Sequence, residues 1–450
     1  MSFYMFCREF DFATVPTHTQ NILKKSVLDI VGVMAGAISS DTSQTLYRYV
    51  RKHYPTGELT SRLLFDGQRV NLLGAGWAGG FTADSLDAHE GHFTSKGHAG
   101  ATVVPALLAL ADALHRQGKP ISGQRLLSAI CLGYEVSLRA GVALMGTSPT
   151  YHASGGFSAI GVVCAGAVLL NLDEQAFRHA LGIAEYFSAR CPMMRVVQNP
   201  TMLRDAHGSG AYVGLTALLM ASEGVTGAPA ETLEAPAAAS YWNDLGQRWE
   251  IDVQYFKPWP VCRWAQPALT AMTQLQNAYP TISSESVETI RVETFYESMC
   301  LQGHVPTNAD EAQYALAFPL AALIARGKVG PHEVTGDAIH APDILAVSQK
   351  IKIVEAADIS ARFPQEILSR LVVTLNDGSV LTTPITPAKG DPDMPMTLQD
   401  IETKFDLFAQ PNLGIGHSDE VKKAVLVLEQ AADAIEALAP LFRAPVRIFK

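Results

Sequence analysis

Several helix-length segments of this chain are apolar around their whole circumference. The clearest is residues 153–172, "ASGGFSAIGVVCAGAVLLNL", which contains no charged residue. Such a helix has to be covered on every side, either by other helices or by lipid. Small residues recur in it, and Gly161, Ala165 and Gly166 would let neighbouring helices approach closely. We therefore predict a buried helix inside a multilayer helical domain, with a membrane span as the alternative.

Similar patterns predict helices over most of the first 265 residues. The predicted helices span residues 17–38, 102–117, 121–146, 154–171, 173–187 and 207–224. A chain of 450 residues is too long for one ordinary core, so we expect two domains.

The pattern changes in the second half of the chain. Residues 285–298 alternate between apolar and polar side chains, which predicts a strand, and residues 370–386 form two β-rich runs around an Asn-Asp-Gly turn, which predicts a hairpin. Helical patterns lie between these two segments at 310–327 and 340–350, and the chain becomes helical again at 397–409 and 418–441. We predict a mainly α fold with a smaller α+β domain. Residues 1–265 plus 398–450 would form the large all-helical domain, and residues 266–397 the smaller one.

The composition excludes several classes of function. The net charge is −10 and no basic face stands out, so we expect neither nucleic acid nor an anionic membrane as a partner. The six cysteines are scattered in mostly apolar contexts, and the N-terminal residues show no secretory signal. We expect a cytoplasmic protein. The chain has no phosphate-binding loop, dinucleotide fingerprint, nucleophile elbow or zinc spacing, so we predict no nucleotide cofactor and no metal.

Titratable side chains are concentrated in residues 84–98, "DSLDAHEGHFTSKGH". Asp87, Lys96 and His98 stand in this glycine-broken segment, directly before an apolar helix. A helix N-terminus offers free N–H groups and a positive dipole end, which would stabilise a carboxylate substrate. The alternative is a capped surface loop.

Three further segments combine proton carriers or cations with a helix start. His152 stands in "PTYHASGGFSA", where the alternative is a capping loop with an incidental histidine. Arg204 and His207 stand in "MLRDAHGSGAYVG", where the alternative is a surface region. Lys257 and Arg263 stand in "YFKPWPVCRWAQPA", where the alternative is structural stacking of the arginine on tryptophan.

At these residues the sequence resembles the MmgE/PrpD family. The resemblance rests on Asp87 before "GHAGATVVPALLALAD", on "YHASGGFSAIG", "HGSGAYVGLTALLMASEGVTG", "KPWPVCRWAQPA", "AQYALAFPLAALIARG" and "KGDPDMPMT". It implies an MmgE/PrpD-like two-domain architecture, a homodimer and no required cofactor. It also implies a small polycarboxylate substrate. The activities known in the family include 2-methylcitrate dehydratase, cis-aconitate decarboxylase and iminodisuccinate epimerase.

The sequence departs from the family pattern at several positions that the resemblance assigns to chemistry. His89 and Glu90 stand where lyase members have an acidic pair, and the family's Lys-x-x-His becomes Arg204 with His207 only if a one-residue gap is allowed. A family histidine is replaced by Gln266, and a frequent tyrosine by Phe318. His98 and His152 match directly.

These losses favour a reaction that needs fewer proton donors. We predict a cofactor-independent epimerase that removes and returns the proton α to a carboxylate of an iminodisuccinate-like substrate. The rivals are a dehydratase- or decarboxylase-like lyase and a non-catalytic dicarboxylate-binding protein. The predicted proton carriers are His98 and His152, tuned by Asp87, with His207 in reserve; the predicted carboxylate-binding residues are Lys96, Arg204, Arg263 and Lys257.

Overall fold

A computed structural model describes residues 2–445 and has the predicted mainly α architecture. Its helices are α1 (Phe3–Glu9), α2 (Thr17–Ala37), α3 (Asp41–His53), α4 (Leu72–Asp84), α5 (Gly100–Arg116), α6 (Gly123–Thr147), α7 (Ser158–Leu170), α8 (Glu174–Phe187), α9 (Met194–Gln198), α10 (His207–Ser222), α11 (Glu231–Glu234), α12 (Gln266–Ala278), α13 (Tyr296–Met299), α14 (Ala309–Gln313), α15 (Ala317–Arg326), α16 (Pro342–Ser348), α17 (Ala357–Ser360), α18 (Leu398–Leu413), α19 (Ile415–Leu426) and α20 (Ala434–Ala437).

The uncharged segment forms α7, which is buried among α5, α6 and α10 as predicted. Its small residues allow close backbone contact. A Cβ added at Gly161 would lie 2.2 Å from the carbonyl oxygen of Gly133 on α6, and one added at Gly166 would lie 2.3 Å from Leu218 on α10. A larger side chain at either position would push two helices apart, which is why this part of the sequence is rich in glycine and alanine.

The smaller part of the fold is built on a five-stranded sheet. The strands of the protein are β1 (Thr60–Arg62), β2 (Arg69–Asn71), β3 (Gly91–His92), β4 (Gln254–Tyr255), β5 (Val287–Thr294), β6 (Ile351–Glu355), β7 (Leu368–Leu375), β8 (Val380–Thr382) and β9 (Thr386–Pro387). The sheet order is β6-β5-β7-β8, with β9 also on β7. The predicted hairpin is confirmed as β7–β8, and Gly378 supplies the positive φ of +84° that its turn needs.

The last helices return to the helical body, where α18 packs along α2. Lys404 of α18 is buried, and its ammonium lies 2.6 Å from the Asp29 carboxylate of α2 and 2.6 Å from the carbonyl oxygen of Ala88. A Cβ at Gly32 would meet the Phe405 ring at 2.7 Å, so the two helices are in direct contact there. These contacts are what a helical domain built from both chain ends requires, and the boundaries at 265 and 397 stay a prediction.

Two sequence predictions of helices were wrong in extent. The segment predicted as one helix over 418–441 is α19 followed by short turns and α20, and the segment 310–327 is split into α14 and α15. The glycine-rich α4 was not predicted at all, because "LLGAGWAGGFTAD" contains four glycines, which are poor helix formers. Gly80 of α4 accounts for that composition, since a Cβ there would lie 2.7 Å from the Cα of Gly208.

Among the described residues, α6 alone is long and apolar enough to match a membrane-spanning helix in composition. Of its most apolar window, 94% is buried inside the protein. The other helices of the body cover it, so its composition is explained by its place in the core.

The buried pair between α18 and α2 gives a direct test of how the C-terminal helices are held. We expect Lys404→Ala to lower the free energy of unfolding by about 3–5 kcal/mol, because Asp29 would keep a buried charge without a partner. Urea denaturation followed by circular dichroism measures the change. Lys422→Ala is the matched control, because Lys422 on α19 pairs with the partly exposed Asp406 and its loss should cost less than about 1 kcal/mol. Equal costs for the two variants would contradict this account.

Candidate active site

A cavity of about 410 Å³ lies between the helical body and the sheet-containing part. Its wall combines titratable and aromatic side chains from both. The lining residues are Asp87, His92, Phe93, Thr94, Lys96, His98, Tyr151, Met193, Met194, Val197, Asp205, Tyr255, Lys257, Cys262, Arg263, Trp264, Glu297, Tyr314, Phe363, Pro364 and Ile367. Five of the predicted site residues are therefore brought together: Asp87, Lys96, His98, Lys257 and Arg263.

A two-residue strand pairing assembles the charged side of this wall. In β3 and β4, Gly91 lies opposite Tyr255 and His92 opposite Gln254. The pairing places the polar segment 84–98 beside residues 254–257, which are far away in sequence. Nothing in the sequence indicates it, because each strand has only two residues.

Lys257 is neutralised inside this arrangement. Its ammonium lies 2.6 Å from a carboxylate oxygen of Asp87 and 2.9 Å from the Asp87 carbonyl oxygen, and both side chains are buried. Asp87 was predicted to tune a histidine, and the ion pair with Lys257 is the contact it makes instead. The pair has no net charge, so Lys257 contributes less to anion binding than the sequence suggested.

His98 presents one ring nitrogen for chemistry. Its Nδ1 donates a hydrogen bond to the carbonyl oxygen of Glu90 at 2.6 Å, so in the neutral imidazole Nε2 has a free lone pair. The nearest carboxylate oxygen to Nε2 is Asp205 Oδ2 at 3.7 Å, which is beyond hydrogen-bond reach. Burial lowers the pKa of His98 well below its usual value, and the charge of Lys257 lowers it further. In the free protein His98 is therefore a neutral base at pH 7.

Further titratable groups are packed behind His98. The ring of His89 lies 4.3 Å from that of His98 and 5.0 Å from that of His207, measured between centroids. Asp205 Oδ2 lies 3.6 Å from His207 Nε2 and accepts a hydrogen bond from Ser154 Oγ at 2.5 Å. The alternative of a surface region at 204–205 is thus wrong, because both residues are buried. Asp205 stands in the segment of Arg204 and His207 but was not among the predicted site residues.

The charges of this buried group depend on one another. Burial raises the pKa of Asp84 to about 6. Burial would lower the pKa of His207, but the carboxylates of Asp84 and Asp205 outweigh it and raise that pKa. Burial would likewise raise the pKa of Asp205, yet His207, His98 and Ser154 together hold it below its usual value. The group is therefore stable with a proton on His207 and a charge on Asp205.

The ligand atoms of Asp84, His89 and His207 all lie within 4.8 Å of one another. Among the described residues, this buried trio is where a divalent cation would find two imidazoles and one carboxylate. Because the pKa of His207 is raised, its imidazole supplies a positive charge beside Asp84 and Asp205, as a cation would. The predicted absence of a metal stays a prediction.

The two remaining cations of the wall differ in their partners. Arg263 forms an ion pair with Asp391, and its guanidinium lies 4.3 Å from the centroid of the Tyr255 ring, so its stacking partner is a tyrosine and not the expected tryptophan. Lys96 is exposed, has a positive φ of 50°, and has no carboxylate partner within residues 2–445. Lys96 is thus the lining cation that is most available to a substrate carboxylate.

Three of the predicted site residues do not line the cavity: Arg204, His152 and His207, which is packed behind His98. Arg204 is buried and donates to the carboxylate of Asp310 at 2.5 Å and the side-chain oxygen of Gln313 at 2.8 Å, so it connects the helical body to α14. His152 is also buried, and its Nε2 lies 3.2 Å from the Ser148 hydroxyl. The backbone of His152 is extended and bridges to Pro192, and neighbouring residues in an extended segment point to opposite sides. Tyr151 faces the cavity, and His152 faces away from it.

Comparison with known proteins agrees with this arrangement. Residues 2–251 match the MmgE/PrpD N-terminal domain, and residues 259–430 match the MmgE/PrpD C-terminal domain. The chain belongs to the MmgE/PrpD family. It is 22% identical to a cis-aconitate decarboxylase of Aspergillus terreus, over 86% of this chain and 84% of the relative. It is 25% identical to the cis-aconitate decarboxylase of Homo sapiens, over 77% and 75%, and 23% identical to the cis-aconitate decarboxylase-like protein oryM of Aspergillus oryzae, over 94% and 93%.

The structure shows what replaced the two missing family side chains of this MmgE/PrpD member. Gln266 is buried and donates to the carbonyl oxygens of Trp259 and Val261, so it supports the turn. Phe318 is buried in the core of the sheet-containing part. Four residues before Phe318, Tyr314 lines the cavity. A phenol is therefore still present in the wall, and sequence reasoning missed it because only the position of Phe318 was considered.

Backbone strain is concentrated in the loops of this site. Four non-glycine residues there have a positive φ: Asp87 (47°), Lys96 (50°), Arg204 (44°) and Ala206 (60°). Each such residue costs on the order of 1–3 kcal/mol, and residues of this kind cluster where a site has to be pre-organised. Their presence in three separate loops around one cavity supports its assignment as the active site.

Glu90 provides a pH-dependent test of the buried group. It accepts a hydrogen bond from the Gly100 N–H at 3.0 Å, and burial, followed by the charge of Asp29, raises its pKa to about 7. The folded state therefore binds this proton more tightly than the unfolded state. The resulting stability is complete below the pKa of the unfolded state and is lost as the pH rises through about 7.

We expect Glu90→Gln to gain stability relative to the unmodified protein between pH 5 and pH 8, by on the order of 1–3 kcal/mol, because the amide keeps the Gly100 bond without ionising. Urea denaturation at four pH values measures this difference. The exposed residue Glu223 supplies the control variant Glu223→Gln, which should show no such trend. A constant difference between Glu90→Gln and the unmodified protein would show that Glu90 does not titrate in this range.

Proposed function

We propose that this chain is a lyase that removes carbon dioxide from a small unsaturated carboxylate, with His98 delivering a proton to carbon. The observation that supports this most is that His98 presents a free imidazole nitrogen to a cavity with cations on one side and apolar side chains on the other. The cis-aconitate decarboxylases among the relatives support the same reaction class.

The chemistry requires one proton carrier. The bond between the substrate carbon and the departing carboxylate breaks, and its electron pair moves through the neighbouring double bond. The carbon at the far end of that bond takes the proton from His98 Nε2, and carbon dioxide leaves. Epimerisation needs two proton carriers on opposite faces of one carbon. His152, which was predicted as the second carrier, does not line the cavity.

Substrate binding would supply the proton that His98 needs. The free imidazole is neutral, because burial and Lys257 lower its pKa. A carboxylate held near Lys96 brings a negative charge to the same cavity, and an opposite charge favours the protonated form of an imidazole. Nε2 then takes up a proton on binding and releases it to carbon during turnover.

The boundary between the charged and the apolar side of the cavity suits the departing group. Met193, Val197, Trp264 and Ile367 offer no hydrogen bonds from their apolar surfaces to a carboxylate at the edge of this side. Loss of hydration there destabilises the anion, and formation of neutral carbon dioxide removes the charge. This wall favours decarboxylation over reactions that keep every carboxylate.

Epimerisation of an iminodisuccinate-like substrate is the second candidate. It is favoured by the departures at Gln266 and Phe318, which lack the proton donors that the resemblance implies for lyases. Tyr255, whose ring centroid lies 6.2 Å from that of His98, would then be the second carrier. A dehydratase reaction and non-catalytic binding are the further alternatives, and the latter predicts stabilisation by ligand without turnover.

We expect His98→Gln to lower the rate of carbon dioxide release from cis-aconitate by at least about 100-fold, because the proton donor is lost. His152→Gln is the matched control and should stay within about threefold. Proton NMR in deuterated water follows both cis-aconitate and iminodisuccinate. Deuterium entering the α-carbon of iminodisuccinate with all carbon retained would identify an epimerase, and equal losses in the two variants would contradict the assignment of His98.

The pH dependence separates the acid and base roles of His98. If His98 acts as an acid, only its protonated form is productive, and kcat/KM should fall by about tenfold per pH unit between pH 6.5 and 8. Over the same range kcat should change less, since bound substrate anions raise the pKa of His98. If His98 acts as a base, kcat/KM should be flat over this range and fall only at lower pH, which would contradict the proposed lyase mechanism.

A further inference from the structure

The cavity wall is divided into a charged side and an apolar side. The charged side comes from the loops around β3 and β4. The apolar side is formed by Met193, Met194 and Val197 at α9, together with Trp264, Phe363 and Ile367. Trp264 and Phe363 also contact each other edge to face, with centroids 6.3 Å apart, so this side is a continuous hydrophobic surface. A small substrate covered with carboxylates would leave that surface in contact with water.

The charged side has no excess of positive charge. Three cations, Lys96, Lys257 and Arg263, are balanced by three acids in the same wall, which are Asp87, Asp205 and Glu297. Lys257 is already paired with Asp87, and Arg263 with Asp391. Both ring nitrogens of His92 are occupied, because Nδ1 accepts from the Ser95 N–H and Nε2 lies 3.1 Å from the Glu250 carboxylate, and His98 is neutral. One substrate carboxylate finds a free partner at Lys96, while a third or fourth would be buried without compensation.

The size of the cavity points in the same direction. Pockets of about 300–1,000 Å³ bind drug-sized ligands, and this cavity of about 410 Å³ falls within that range. A six-carbon tricarboxylate would fill only part of it.

From these observations we infer that the natural substrate is an amphiphilic carboxylate. It has one or two carboxylates at the Lys96 end of the cavity and an alkyl or aryl group of several carbons on the apolar side. The inference relies on the proposed function only for the reaction, which is loss of carbon dioxide. The class of substrate is inferred from the residues of the cavity wall alone. The inference distinguishes this chain from an enzyme whose best substrate is cis-aconitate or iminodisuccinate, because the wall leaves some of their three or four carboxylates without a cation. Cis-aconitate is then a poorer substrate of the same reaction.

Binding of a ligand series tests the inference without turnover. The probes are succinate, 2-methylsuccinate, 2-butylsuccinate and 2-hexylsuccinate, with tricarballylate as the trianion, and calorimetry gives each Kd. We expect affinity to rise by about threefold to fourfold per methylene until the apolar side is covered. We also expect 2-butylsuccinate to bind at least tenfold more tightly than tricarballylate. Affinity that does not depend on chain length, or tighter binding of tricarballylate, would overturn the inference.

Variants locate the effect on the apolar side. Val197→Trp fills the space above α9, so the gain per methylene should fall below about 1.5-fold while succinate binding changes less than threefold. Arg195→Trp is the matched control, because Arg195 is an exposed residue of the same short helix outside the cavity lining. It should keep the full gain. Val197→Ser adds a hydroxyl instead of bulk and should reduce the gain in affinity per methylene to half or less. It serves as the test if Val197→Trp fails to fold.

A third variant separates the two ends of the ligand. Lys96→Met should weaken every member of the series by about the same factor, roughly tenfold, and leave the gain per methylene unchanged. A gain per methylene that disappears in Lys96→Met, or equal behaviour of Val197→Trp and Arg195→Trp, would contradict the division of the wall.

Chain-dependent binding without turnover of any unsaturated analogue would overturn the lyase proposal and leave the substrate class intact. Turnover of cis-aconitate without chain-dependent binding would overturn the inferred substrate class and leave the lyase proposal intact.

Discussion

The buried pair of Lys257 and Asp87 is the interaction on which the site depends. It joins the polar segment 84–98 to the segment that follows β4, and neither charge would be tolerated at that depth without the other. Burial lowers the pKa of both His98 and His89, and the ammonium of Lys257 lowers both further, so the pair helps to keep the imidazole that faces the cavity a free base. The structural connection and the protonation state of the candidate proton carrier therefore have a common origin. A lysine devoted to substrate would have left Asp87 uncompensated and the two segments less firmly held.

Behind this pair the protein buries more titratable groups than one proton transfer requires. Asp84, Asp205 and His207 form a set in which each charge is stabilised by the next, with Ser154 and Thr102 donating or sharing hydrogen bonds at the periphery. Such a set is costly to assemble and is stable only if it is complete. Asp205 lies between Arg204 and Ala206, both of which have a positive φ, and its carboxylate accepts from the Ser154 N–H and hydroxyl, so the set anchors this loop beside the cavity. The network is thus a structural support for the cavity as well as an electrostatic one.

The sequence predicted those features that depend on local pattern. The apolar periodicity of α2, α5 and α7 and the Asn-Asp-Gly turn of the β7–β8 hairpin are confirmed, because helix burial and turn geometry follow from neighbouring residues. The polar cluster at 84–98 could also be recognised as part of a site, since its glycines and mixed charges are unsuited to a solvated helix face.

The features that the sequence did not predict depend on contacts between distant residues, or on the side to which a single side chain points. The pairing of β3 with β4 involves four residues and has no sequence signature. His152 and Tyr151 are adjacent, and which of them faces the cavity is decided by the bridge to Pro192. Tyr314 replaces the expected phenol of the 318 position from four residues away, which only the path of the chain between α14 and α15 allows. Resemblance to a family indicates which sequence positions correspond. The chemistry of the cavity depends on which side chains at or near those positions reach its wall.

Arg204 shows how a structural role changes the chemistry that remains. The resemblance implied a cation at this position for substrate carboxylates, but its guanidinium is occupied by Asp310 and Gln313 of the sheet-containing part. An arginine suits this task because its planar fork binds two acceptors at once while remaining charged when buried. The pairing holds the two parts of the protein together at the edge of the cavity, and it removes one positive charge from the wall. With Lys257 and Arg263 also paired, the same contacts that close the cavity reduce its capacity for anions, and the space left beside α9 and Trp264 is apolar. The attachment of the two parts and the proposed substrate preference thus both follow from one distribution of charge.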